Sequence, residues 1–197
     1  MRYSRPKIRI IPNFLKILMK IISLLTLSML AGCMGINEYR TTGTFIEDFS
    51  IERKVSSLLK NDKELKEKTN VSATSYNETL LLTGQVPNQR LRNLVINRAS
   101  KIRKVKKVHD YLTIAAPSSI ISRSNDGYLT TKVKTRILAT AIFKKDKNVE
   151  ADRIKVVTEN SIVYLLGVLT KQQAKTASKI ARQTPGVQKV VSLWELL

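Results

Sequence analysis

Cysteine and histidine each occur once in the chain, at Cys33 and His109. No disulfide can close within one molecule, and no multi-ligand His/Cys metal cluster can be assembled. Aromatic residues are only 6% of the sequence, so any packed core is aliphatic. Acidic residues are scarce too: 15 Asp and Glu stand against 35 Lys and Arg, a formal charge of +20. That excess fits an acidic partner, whether nucleic acid, an anionic membrane or an acidic protein. A codon bias toward A and T, which enriches Lys, Ile and Asn, would also produce it. No apolar run is long enough to cross a bilayer. The most apolar stretch, Ile21 to Leu30, covers about 15 Å as a helix. A Ser-His-Asp set, a phosphate-cradling glycine loop and paired carboxylates at repeat-matched positions are all missing, which points away from an enzyme. Hydrophobic residues nevertheless reach 43% of 197, enough for one or two small packed domains.

What is present is a repeat. Ser161 to Leu193 reads as an apolar strand ending at Gly167, a helix carrying Ala174, Ala177 and Ala181, and a strand from Val187. Strand, helix, strand in about 30 residues is the size of one crossover between parallel strands. Upstream, Leu80-Leu81-Leu82-Thr83-Gly84 leads into a helix with Leu91, Leu94, Val95, Ala99 and Ile102, then into Val105-Lys-Lys-Val108. Gly84 maps to Gly167, Ala99 to Ala181, and Val105-x-x-Val108 to Val187-x-x-Val190, at offsets of 83 and then 82. Self-similarity at a fixed period defines two copies of one unit.

The amino end reads as an address. Residues 1–32 hold six basic side chains and no acid, followed by the short apolar run and Leu30-Ala31-Gly32-Cys33. A basic start, a short apolar segment and small residues make a secretory signal; Met19-Lys20 would open a complete shorter one. The last four residues resemble the lipobox of bacterial lipoproteins, in which the cysteine receives acyl chains and becomes the first residue. That makes Cys33 the expected lipidation site, with covalent acyl chains in place of any cofactor or metal. Met34 stands where an Asp would retain such a protein in the inner membrane, so the resemblance implies the outer membrane. Residues 33–47, with Gly35, Gly43 and several Thr, lack a helical or alternating period and read as a flexible tether.

The first unit is expected over 48–116. Asp48 or Ser50 would cap a helix bearing Ile51, Val55, Leu58 and Leu59 on one face. Val71 to Tyr76 and Thr79 to Leu82 follow as strands joined by the turn Asn77-Glu78. Pro87 starts the second helix, and Val105 to Ile114 is the last strand. Lys101, Arg103, Lys104, Lys106 and Lys107 cluster at the turn between them. His109 and Asp110, adjacent on a strand, face opposite ways and cannot act as a pair. Residues 117–127 read as a polar linker, and 128–197 as the second unit. Its first helix starts near Tyr128, with Leu129, Val133 and Ile137 as core stripe and Tyr128, Lys132 and Arg136 along one edge beside Thr135. A hairpin turns through Glu159-Asn160, and helix 171–184 and strand 187–196 complete the unit. Trp194 matches Leu112 and reads as a core or sheet-end residue. On the residues alone, the Tyr128 edge is either an interfacial patch for anionic lipid or an ordinary solvated edge.

Apolar strand, Gly, helix, Gly-Val-x-x-Val and final strand resemble the BON domain. Both units fit, except that Lys104 stands where Gly186 stands in the second. With the lipobox and tether, the whole resembles the dual BON-domain outer-membrane lipoproteins of enterobacteria, most closely at 82–88, 125–134, 156–160 and 167–175. The resemblance implies an α+β fold of two tandem αββαβ domains, each a three-stranded mixed sheet with two helices. It implies a lipid-anchored protein on the inner leaflet of the outer membrane, facing the periplasm and binding no nucleic acid. It further implies recognition of anionic phospholipids (phosphatidylglycerol, cardiolipin) by the first helix of the second domain, where Tyr128, Leu129, Lys132 and Arg136 lie. Envelope integrity, the division site and regulators of cell-wall amidases are the implied context. The alternative is a periplasmic protein-binding or chaperone-like module without lipid specificity.

Overall fold

The structure is a computed structural model that describes residues 40–116, 120–143 and 151–197. Cys33, the signal segment and the first part of the tether lie outside the described residues. The first repeat contains α1 (Thr42–Asn61), a short α2 (Lys63–Lys68), β1 (Asn70–Tyr76), β2 (Thr79–Val86), α3 (Gln89–Ser100) and β3 (Lys107–Ile114). The second contains α4 (Ile120–Phe143), a 3-10 turn (Ala151–Arg153), β4 (Ile154–Glu159), β5 (Ile162–Leu169), α5 (Lys171–Arg182) and β6 (Lys189–Leu196). Each repeat makes a three-stranded mixed sheet, β1-β2-β3 and β4-β5-β6. The outer pairs β1–β2 and β4–β5 are antiparallel hairpins, whereas β2–β3 and β5–β6 are parallel across a helix. This is the α+β arrangement expected from the strand-helix-strand spacing.

The central strands explain their own sequences. Leu80, Leu82 and Val86 of β2 point to one core with Ile51, Val55, Leu91, Val95 and Ala99 of the helices. Val163, Leu165 and Leu169 of β5 do the same with Val133, Ile137, Ala174, Ala177 and Ala181. The alternate residues face the other way. Leu81 and Tyr76 meet Tyr164, Leu166 and Val168 in a third cluster shared by the two repeats. Both faces of β2 and β5 are therefore buried, which is why they read as continuous apolar runs rather than alternating ones. The order of layers is helices, sheet, sheet, helices. Tyr111 and Tyr164 cross this seam edge to face at 4.9 Å. Gln85 Nε2 donates to Glu159 Oε1 at 2.5 Å, Asn77 Nδ2 to Glu195 Oε2 at 2.5 Å, and Lys155 Nζ to Glu52 Oε1 at 3.1 Å.

Several sequence expectations shift. The first helix starts at Thr42 with Thr41 as its cap, so residues 42–47 belong to a helix rather than to the tether. Asp48 does not cap it. Its carboxylate is buried and accepts from Arg40, the Ser75 hydroxyl and the backbone N–H groups of Asn77 and Glu78. The Arg40–Asp48 pair thereby holds a first turn whose own Thr and Gly are poor helix formers. In the second repeat, α4 begins at Ile120, eight residues before Tyr128, so most of the expected linker 117–127 is helical. Asp126 is the anchor there, accepting from Asn160 and Ser161 N–H at 2.7 and 2.8 Å. The hairpin turn lies at Asn160-Ser161, one residue beyond the expected place, with both residues at positive φ like Asn77 and Glu78. Two-residue turns of this kind suit the twist of the flanking strands and favour Asn at the first position.

Gly84 marks where the backbones of β1 and β2 close up. A Cβ there would lie 1.9 Å from the Asn70 carbonyl oxygen, at φ +112°. Its repeat partner Gly167 sits under the Trp194 ring and beside the Arg153 carbonyl. Trp194 pairs in register with Gly167 as Leu112 does with Gly84. It packs against the second core, with its indole N–H on Ser178 Oγ at 3.2 Å.

Candidate functional site

The candidate surface is the exposed side of α4, and three contacts fix how it faces outward. Asp126 ties its second turn to the β4–β5 hairpin. Thr130 Oγ1 donates to Thr158 Oγ1 at 2.8 Å. Val133 and Ile137 sit in the core. Leu129 joins them: it is 3% exposed, and its Cδ1 lies 3.4 Å from where a Cβ on Gly186 would stand. This corrects the expectation that Leu129 contacts lipid. At helical spacing it falls one position toward the core from Tyr128, and the turn before β6 covers it.

Tyr128, by contrast, is 65% exposed. Lys132 lies one turn further on, with Nζ 3.0 Å from the Pro185 carbonyl oxygen and 5.7 Å from the centre of the Tyr128 ring. The ammonium thus bridges the helix and the neighbouring turn, with its charge against the ring face. Arg136 is exposed another turn along. The structure brings Tyr128, Lys132 and Arg136 together on one outer edge. Leu138 is 49% exposed, but it lies on the other flank of α4, beside Lys134, Ala151 and Asp152.

The electrostatics of α4 are one-sided. Its basic residues are Arg123, Lys132, Lys134 and Arg136, and its single acid is Asp126. Asp126 is buried and committed to the hairpin N–H groups. The outer face therefore carries positive charge with no carboxylate of the helix to offset it.

Several polar groups elsewhere are held in structural contacts. His109 is half-buried, and desolvation followed by the Lys107 charge pushes its pKa down, leaving it neutral at pH 7. Asp110 pairs instead with Arg92, Nη2 to Oδ2 at 2.7 Å. In the basic turn, Glu78 holds Lys106 at 2.6 Å and stands 4.0 Å from Lys104. The hydrogen bond to Glu78 raises the Lys106 pKa. Tyr164, buried in the seam, is pushed up to about 12 by burial and then by Glu159 and Tyr111. Among the described residues no group of three or more His, Cys, Asp and Glu could hold a metal ion, and no helix is long and apolar enough to cross a membrane.

The fold is two stacked αββαβ units whose sheets bury one face against each other. The chain belongs to the BON domain family, whose model matches residues 47–116 and 125–195. It is similar to the outer membrane lipoprotein DolP of Haemophilus influenzae, with 37% identity over 80% of this chain and 79% of that one. It is also similar to a 21 kDa hemolysin of Actinobacillus pleuropneumoniae, with 31% identity over 78% and 76% of the two chains. Among solved structures, the C-terminal domain of CdsD, a type III secretion protein of Chlamydia trachomatis, aligns over 76% of this chain and 67% of its own at 13% identity, with a TM-score of 0.30.

Proposed function

We propose that this chain is a non-catalytic outer-membrane lipoprotein that faces the periplasm, is anchored by acyl chains on Cys33, and recognises anionic phospholipid through α4. The name of the 37%-identical relative supports the compartment and the lipid anchor. The observation that carries the lipid reading is the burial of Asp126, which leaves Tyr128 among cations with no exposed acid on its helix. Phosphatidylglycerol and cardiolipin are the fitting headgroups. Each cation near such a surface contributes about 1 kcal/mol, so α4 by itself binds weakly. The acyl chains supply residence, and α4 selects the lipid. Support of envelope integrity, action at the division site and an influence on cell-wall amidase regulators belong to the same proposal.

The test is co-sedimentation of the mature chain carrying Cys33→Ser with vesicles of phosphatidylethanolamine, alone or with phosphatidylglycerol or cardiolipin. Binding to anionic vesicles is expected to weaken in high salt, with Tyr128→Ala and with Arg136→Glu. Binding that ignores all three changes would refute recognition by α4. A periplasmic protein-binding role is the second reading, favoured by the exposed Lys101, Arg103 and Lys107 beside the Glu78-bound lysines.

A further inference from the structure

The most apolar exposed feature among the described residues lies far from α4. Phe45, Ile46 and Phe49 are 60%, 61% and 57% exposed on the first two turns of α1. Isolated exposed apolar side chains are ordinary, but a contiguous group of three large ones is not. Nor does the fold require them. With Asp48 matched to Asp126, the equivalent residues of the second repeat are Arg123, Ser124 and Gly127. The ridge is well held. Thr41 caps the helix by accepting from Thr44 N–H at 3.1 Å. The Arg40 guanidinium, ion-paired to Asp48 at 2.7 Å, lies 4.4 Å from the Tyr76 ring centre and 5.2 Å from that of Phe45. Arg53 lies 5.9 Å from the Phe49 ring centre, and Lys54 is exposed beside it. Glu47 is the one acid on these turns outside the Arg40–Asp48 pair.

We propose that Phe45, Ile46 and Phe49 are an apolar membrane contact, separate from α4, that inserts into the leaflet bearing the acyl anchor. This rests on the reading that Cys33 is lipidated. Two observations select a lipid surface over a protein partner. First, α1 starts so early that six residues, 34–39, separate Cys33 from Arg40, at most about 25 Å of chain. The ridge belongs to the first described helix beyond the anchor and is held at high local concentration over the bilayer, where weak insertion suffices. Second, rings and a branched side chain flanked by arginine and lysine match the apolar-to-headgroup boundary.

The ridge and Tyr128 do not share a face. Asp48 marks the turn at 77–78, which the Asn77–Glu195 bond places beside the far end of β6. Asp126 marks the turn at 160–161, which the Gln85–Glu159 bond places beside the far end of β2. The two helices start at opposite ends of the paired sheets and in opposite outer layers. The ridge and α4 therefore meet a bilayer in different orientations of the chain, the ridge through apolar side chains and α4 through charge.

The lipidated full chain, whose one native thiol is acylated, accepts a unique nitroxide at an introduced cysteine. Labels at Ile46→Cys and Phe49→Cys are read in phosphatidylethanolamine proteoliposomes by collision with oxygen and with a water-soluble nickel chelate. Lys175→Cys, on the outer layer of the other repeat, is the water-exposed control. The expected result is preferential oxygen access at 46 and 49, the reverse of the control. Preferential access by the nickel chelate at both would overturn the proposal. Low access to both reagents would overturn it too, since a protein would then cover the ridge. A parallel label at Tyr128→Cys in phosphatidylglycerol proteoliposomes reports on α4 alone, so either contact can fail without the other.

Discussion

Asp48 and Asp126 do the same work in the two repeats. Each buried carboxylate, about two turns into the first helix of its repeat, takes the N–H groups of both positive-φ residues of the hairpin turn, Asn77-Glu78 or Asn160-Ser161. The two are not loaded equally. Asp48 also accepts from the Ser75 hydroxyl and pairs with Arg40.

Asp48→Ala would strand a guanidinium, a hydroxyl and two amides in a buried site. The expected loss is about 3–5 kcal/mol, against about 1–3 kcal/mol for Asp126→Ala. Urea denaturation of both variants checks the order; equal losses would mean that Arg40 contributes nothing to the site.

Gly84→Ala would place a methyl 1.9 Å from the Asn70 carbonyl oxygen at φ +112°. The neighbour is backbone and cannot swing aside. A loss above about 4 kcal/mol is expected, seen as collapse of the near-UV signal or failure to accumulate folded protein.

Lys104 and Gly186 stand at equivalent turns, and both have positive φ, 77° and 100°. The departure from the family pattern therefore leaves the turn itself unchanged and puts the strain on Lys104. Left-handed backbone costs a non-glycine residue about 1–2 kcal/mol, partly offset by the greater freedom of glycine when unfolded. Lys104→Gly is expected to raise Tm by a few degrees, and Gly186→Ala, which also meets Leu129, to lower it.

Glu159 sits in the seam, and desolvation raises its pKa above the ordinary carboxylate value, against the lowering effect of Gln85. A raised pKa means that the folded chain holds this proton more tightly than the unfolded one. Its contribution is full below the unfolded pKa and is lost as pH rises through the folded pKa. Glu159→Gln should therefore raise Tm at pH 7 and lose that advantage near pH 4. Thermal melts across that range test the sign; a variant less stable at pH 7 would show that the Gln85 bond outweighs burial.

Much of this architecture is legible in the residues. The runs around Leu81 and Leu165 and the repeated glycines are local signals. What was hidden depends on distant partners. Thr42 to Glu47 look like a tether until Arg40 and Asp48 meet across eight positions. Residues 120–127 look like a linker until Asp126 finds the hairpin 34 residues on. Leu129 reads as core stripe from its spacing, the resemblance alone places it at lipid, and the structure keeps it in the core. The continuous runs mark a buried second face but not its partner, because a strand buried on two sides has the same apolar sequence whatever covers that face.

That seam has a consequence for how the chain can be divided. Cutting between the repeats would uncover Tyr76, Leu81 and Tyr111 on one fragment and Tyr164, Leu166 and Val168 on the other, each a wet stripe across a small sheet. Such fragments would stick to one another or to strangers before they behaved as free modules. The two copies are therefore expected to melt together, each holding the other's second face dry.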